Sequence, residues 1–137
     1  PGKVIFTQDT HGSDYLDTQE GKLLPVKHCI KGTPGWRLIP GLEKLQQEHH
    51  WPVIQKPSFG SMKLARELAA AHKVQSITSI ELIGLCTDIC VVSNALLLKA
   101  ALPEVPIKVD SHCCAGVTPE KHRAALQTMR SCQIIVE

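Results

Sequence analysis

Ile80-Glu81-Leu82-Ile83-Gly84-Leu85-Cys86-Thr87-Asp88-Ile89-Cys90-Val91 is the stretch on which the fold turns. A short, mostly apolar run ends near Cys86, and an almost wholly apolar helical pattern follows over Ile89–Ala101. A strand feeding directly into a buried helix is one βα unit of a parallel sheet covered on both faces. The same alternation extends outward. Lys3–Gln8, Pro52–Lys56, Val105–Val109 and Gln133–Val136 are further short runs rich in Val, Ile or Leu, bounded by Gly, Pro, Asp or Ser. Helical patterns over Leu38–Glu48 and Met62–Ala71 lie between them. Thr118-Pro119-Glu120 opens a last helix to about Arg130, with a capping hydroxyl, a proline at the first helical position and an early acid. The order predicts an α/β fold: a three-layer α/β/α sandwich around a mostly parallel, doubly wound sheet, in one domain over residues 1–137.

Composition agrees with a globular chain. Hydrophobic residues make up 43% and charged residues 20% of the 137, which excludes a disordered or low-complexity polymer. The net charge is only +2 and the basic residues are scattered, so neither nucleic acid nor an anionic membrane is an expected partner. No apolar run approaches the ~18 residues of a membrane span. The opening Pro1-Gly2-Lys3-Val4-Ile5-Phe6 carries no initiator Met or leader pattern and reads as the interior of a longer protein. Six cysteines at irregular spacing, two of them adjacent and none in a C-x-x-C, read as mostly buried free thiols of a reducing, cytoplasmic compartment.

In doubly wound folds, ligands gather at the carboxyl ends of the strands. Three groups of residues fall there. Asp9-Thr10-His11 follows the first strand, and a D-x-H places both side chains on one side of an extended segment. His28, in the long irregular stretch from Thr10 to Gly35, can supply a third ligand for zinc, iron or manganese. Alone, the D-x-H reads more readily as a polar turn. Lys56 ends the second strand and, from position alone, reads as a solvated strand end. Cys90 falls in the first turn of a helix, where the partial positive charge stabilises a thiolate and unused N–H groups form an oxyanion site. Local context leaves Cys90 open between a nucleophile and a buried structural thiol.

Taken together these residues resemble the isochorismatase-like cysteine hydrolases, and within them the nicotinamidase-like amidases. The resemblance rests on Phe6-Thr7-Gln8-Asp9-Thr10-His11, on Pro25 to Gly35 with its H-C-x-x-G-T-x-G pattern, on Lys56-Pro57-Ser58-Phe59, and on Gly84 to Val91 with Asn94-Ala95. It implies Cys90 as nucleophile, Lys56 as the lysine of an Asp-Lys-Cys triad, and Asp9, His11 and His28 as ligands of a divalent metal, zinc first. It also implies a cis peptide at Leu85-Cys86, with the Cys86 and Cys90 N–H groups facing an oxyanion. The implied reaction is hydrolysis of a small carboxamide, nicotinamide first, through a Cys thioester, as in NAD salvage; the assembly implied is a homodimer or homotetramer. Another small amide or carbamoyl substrate, or a non-catalytic binding protein of the same fold, is the alternative.

The family's sheet order is 3-2-1-4-5-6, and its first strand carries the triad Asp in a D-x-Q-N-D-F segment that is not found in residues 1–137. The chain is therefore expected to lack the first βα unit. Many nicotinamidases also carry a further His soon after the D-x-H. Here Gly12 to Lys27 holds Asp14, Tyr15 and Asp17 but no His, leaving the fourth ligand to water, Asp14 or Asp17. Trp36, Phe59 and Leu85 are expected to wall the substrate pocket. Asp88 is expected to bond the turn, Cys29 to pack, Cys113 and Cys114 to pack or line the pocket, and His49, His50, His72 and His122 to be solvated.

Overall fold

The computed structural model describes residues 2–137, which fall into two compact units meeting in sequence after Ser58. In the first unit, β1 (Phe6–Asp9) and β2 (Val53–Lys56) form a parallel pair, with Phe6 opposite Val53 and Asp9 opposite Lys56. That register sets the two charged strand ends side by side. Between them run α1 (Gln19–Leu23) and α2 (Pro40–His49), with single 3-10 turns at Tyr15–Asp17 and Pro34–Trp36. The stretch from Thr10 to Gly35, expected to be irregular, is thus partly helical. Thr18 starts α1 by accepting the Gly21 N–H at 3.0 Å.

The second unit holds a three-stranded parallel sheet in the order β3 (Ile80–Leu85), β4 (Ile107–Ala115), β5 (Ile135–Val136). Its helices are α3 (Met62–Val74), α4 (Val92–Ala101) and α5 (Pro119–Ser131), with a π-helical turn at Thr87–Val91 joining β3 to α4. Ser61 caps α3 by accepting the Leu64 N–H at 3.1 Å, and Thr118 caps α5 through the Lys121 N–H at 3.2 Å. Leu98, Ile107, Val109 and Met129 are almost fully buried and form the centre of this core. Each such side chain contributes about 1.5–3 kcal/mol relative to exposure.

Strand β3 has the predicted bounds. β4 begins later than Val105, whose N–H still closes a turn onto the Leu102 carbonyl, and ends later than Val109 because, past a register shift between Leu82 and Gly84 of β3, a polar segment carries the strand on to Ala115. The two ladders reproduce the 3-2 and 4-5-6 parts of the implied strand order. Among the described residues, β1 and β2 each pair along one side only, as do β3 and β5. No helix among the described residues is long and apolar enough to cross a membrane. All six cysteines are free thiols, but none is buried: Cys113 and Cys132 are exposed and the others half-buried, which corrects the expectation of mostly buried thiols.

Candidate functional site

Two structural features bear on chemistry, one in each unit. In the first, the loop after β1 returns beside the strand end. The His11 N–H donates to the Cys29 carbonyl at 3.0 Å and the Lys31 N–H to the His11 carbonyl at 2.9 Å, a one-residue parallel bridge. Cys29 takes a left-handed conformation (φ 47°) at this return. The bridge brings His28 to His11, and the ligand atoms of Asp9, His11 and His28 all lie within 4.8 Å of one another.

A fourth donor joins them that the sequence reading did not single out. Glu20, on α1, places Oε1 3.5 Å from His11 Nε2 and 3.6 Å from His28 Nε2. Asp9 Oδ2 stands 3.4 and 3.7 Å from the same two nitrogens. Asp14 and Asp17 are exposed, and neither belongs to the group that Asp9, His11 and His28 form. The signal that would have pointed to Glu20 is Thr18 as a capping hydroxyl with an acid two residues on, in the first turn of a helix.

These spacings are long for charged hydrogen bonds, which run to about 2.9 Å. They match the ~3.3 Å expected between neighbouring ligands on a tetrahedral ion with bonds of about 2.0–2.1 Å. His11 Nε2 and Glu20 Oε1 are buried with no hydrogen-bond partner, a costly state that a cation would relieve. His28 Nδ1 donates to the Val26 carbonyl at 2.8 Å, which leaves Nε2 as the lone-pair nitrogen of the neutral ring. Tyr15, fully buried, stands against both imidazoles. Two imidazoles and two carboxylates therefore fit a divalent ion, and Lys56 alone does not neutralise the two carboxylates.

Lys56 is not a solvated strand end. It is 3% exposed, with Nζ 3.2 Å from Asp9 Oδ1 and donating to the Ser58 carbonyl at 3.1 Å. Register explains the correction: Asp9 and Lys56 are direct partners across the ladder, so the ammonium has a carboxylate at hand as it leaves water. Trp36 is half-buried and tied to β1, its Nε1 donating to Thr10 Oγ1 at 2.9 Å and its carbonyl accepting from Gln8 at 2.8 Å.

In the second unit, Cys90 lies in the π-helical turn at the carboxyl end of β3, and the Leu85-Cys86 peptide is cis. The turn is fastened at successive residues. Thr87 Oγ1 is 2.8 Å from His122 Nδ1, and Asp88 accepts the Val117 N–H at 3.0 Å. The Ile89 carbonyl accepts from Ser93 at 2.6 Å and the Cys90 carbonyl from Asn94 at 2.8 Å. Asn94, buried, also donates to the Phe59 carbonyl and accepts the Ser61 N–H. Burial, followed by the charges of Asp88 and Cys90, pushes the Cys86 thiol up. Phe59 and Leu85, expected as pocket walls, are 44% and 70% exposed. His122 is bonded rather than solvated, and the His72 ring accepts the Ile77 N–H at 3.0 Å, correcting both expectations.

The chain matches the isochorismatase domain over residues 2–137 and belongs to that family of hydrolases. It is 31% identical over 127 residues to a Bacillus subtilis relative described as an uncharacterised isochorismatase family protein, PncA, covering 90% of this chain and 67% of that one. Among solved structures, nicotinamidase/pyrazinamidase PncA from Bacillus subtilis matches with a TM-score of 0.80 at 28% identity, over 98% of this chain and 74% of that one. The pyrazinamidase/nicotinamidase of Streptococcus mutans matches at 0.83 with 24% identity, over 98% and 75%. The pyrazinamidase of Pyrococcus horikoshii, solved in complex with zinc, matches at 0.78 with 19% identity, over 98% and 74%. The last two bear on the fold alone, and the fold is the isochorismatase-like α/β fold.

Proposed function

We propose that the chain is the greater part of a metal-dependent cysteine amidase that releases ammonia from a small carboxamide, nicotinamide being the first candidate. The observation that carries the reading is the convergence of Asp9, His11, Glu20 and His28, with two of their buried polar atoms unpartnered. A divalent ion held by these four residues would act as a Lewis acid, polarising or orienting a substrate's ring nitrogen or a water. Lys56 supports Asp9 by supplying a buried positive charge beside its carboxylate.

Cys90 attacks the amide carbonyl as thiolate, its proton leaving to a carboxylate base. The Cys86 and Cys90 N–H groups receive the oxyanion, an interaction worth about 3–4 kcal/mol per donor in other enzymes. The carboxylic acid so formed returns that proton to the nitrogen, collapse of the tetrahedral adduct expels ammonia, and the acyl thioester left behind is hydrolysed by water to the acid and free thiol. Phe59 and Leu85 are proposed as apolar walls for a planar substrate. The test is ammonia release from nicotinamide by the full-length protein, with Cys90→Ala beside it. Release that disappears in the variant and after chelation supports the reading; release that survives Cys90→Ala refutes it.

A further inference from the structure

We propose that His122 is a positioning residue for the nucleophile turn, acting through Thr87; this rests on the reading of Cys90 as the nucleophile. Thr87, the first residue of the turn, is fully buried, and its hydroxyl lies 2.8 Å from His122 Nδ1. His122 is fixed in the first turn of α5, its N–H donating to the Thr118 carbonyl at 2.9 Å. Asp88 bonds the Val117 N–H just before that helix. Gly116 allows this approach: a Cβ there would stand 2.9 Å from Asp88 Oδ1 and from both Cα and Cβ of His122. The start of α5 thus seats against the Cys90 turn more closely than a side chain at position 116 permits.

The turn needs such a seat. Its backbone does not follow the α-helical ladder, since the Cys86 carbonyl accepts from both Ile89 and Val91 at 3.1 Å. Side-chain ties therefore decide where the Cys90 thiol and the neighbouring N–H groups point. A displacement of one ångström in such a constellation is enough to cost a large factor in rate. Thr87 is fully buried, so bulk water does not replace the imidazole as the partner of its hydroxyl.

The experiment is a double-mutant cycle in the full-length protein: Thr87→Val, His122→Leu and the pair, assayed for kcat and KM of ammonia release from nicotinamide. Each single variant is expected to lower kcat about tenfold with KM within about twofold. The pair should lose no more than the weaker single, because both remove one bond. Thr87→Ser, which keeps the hydroxyl, should recover most of kcat. Losses that multiply, or a Thr87→Ser variant as impaired as Thr87→Val, overturn the proposal. The same cycle is read on the rate of Cys90 alkylation by iodoacetamide, resolved by peptide mass spectrometry. Failure of the amidase reading thus leaves the positioning role testable, and unchanged alkylation in both singles overturns it. If Thr87→Val does not fold, His122→Asn, which keeps a polar atom near the Nδ1 position, is compared with His122→Leu, and equal loss in the two is the refuting result.

Discussion

Tyr15 is the one tyrosine of the chain, and it lies fully buried with its ring 4.8 Å from that of His11 and 5.0 Å from that of His28. Its hydroxyl donates to the Leu24 carbonyl at 2.9 Å. Burial, then the charges of Glu20 and Asp9, push the phenol above its usual range. The unfolded chain therefore ionises first as pH rises past about 10. The stability tied to the neutral phenol is complete below that pH and is lost as pH climbs toward the folded value. An ultraviolet phenolate titration should find no free-phenol ionisation before alkaline unfolding; a midpoint at the ordinary phenol value would place Tyr15 in water. Glu20→Gln should weaken zinc binding at least about tenfold, read by competition with a chromogenic chelator. Unchanged affinity would remove Glu20 from the site. That Asp9, His11 and His28 lie together was legible through the family resemblance, since the D-x-H by itself reads more readily as a polar turn. Glu20 was not, because a five-residue helix shows no period. Position alone misplaced Lys56 and His122 in solvent for a different reason: their partners lie 47 and 35 residues away, and only tertiary register or packing brings them together.

At the scale of elements, α1 holds Glu20 in place through Gly21, where an added Cβ would drive into the Tyr15 carbonyl. Gly21→Ala should therefore displace α1 and lower metal affinity by about the same factor as Glu20→Gln, although Gly21 offers no ligand atom. Isothermal titration with zinc checks this, and wild-type affinity in the variant would show that α1 can shift freely. Asn94 ties α4 to the Cys90 carbonyl, the Phe59 carbonyl and the Ser61 N–H. Asn94→Leu strands those groups and should cost about 3 kcal/mol, measured by urea unfolding. A loss under ~1 kcal/mol would mean that the groups find other partners. Elements with local signals were readable: the Thr118-Pro119 start of α5 and the apolar run of β3 needed no distant information. The extension of β4 through Asp110, Ser111 and His112 was not, because polar residues at a bulge carry no strand periodicity.

For the whole molecule, the alternation of apolar runs and helical patterns was enough to specify parallel α/β architecture, since each βα unit declares itself locally. How the ladders divide was readable only through the resemblance. Two short sheets present four strand borders without ladder partners among the described residues, where one continuous sheet presents two. Backbone donors and acceptors along such borders are templates for any extended peptide. With a net charge of only +2, repulsion between copies does little to oppose them. Residues 1–137 produced by themselves should consequently self-associate by intermolecular strand exchange, with light scattering that grows with concentration. A monodisperse monomer at high concentration would contradict this. The practical reading is about solubility: purification tags and truncation points should be chosen to keep these borders occupied, because the same hydrogen-bonding groups that would extend the sheet can also recruit a neighbouring chain.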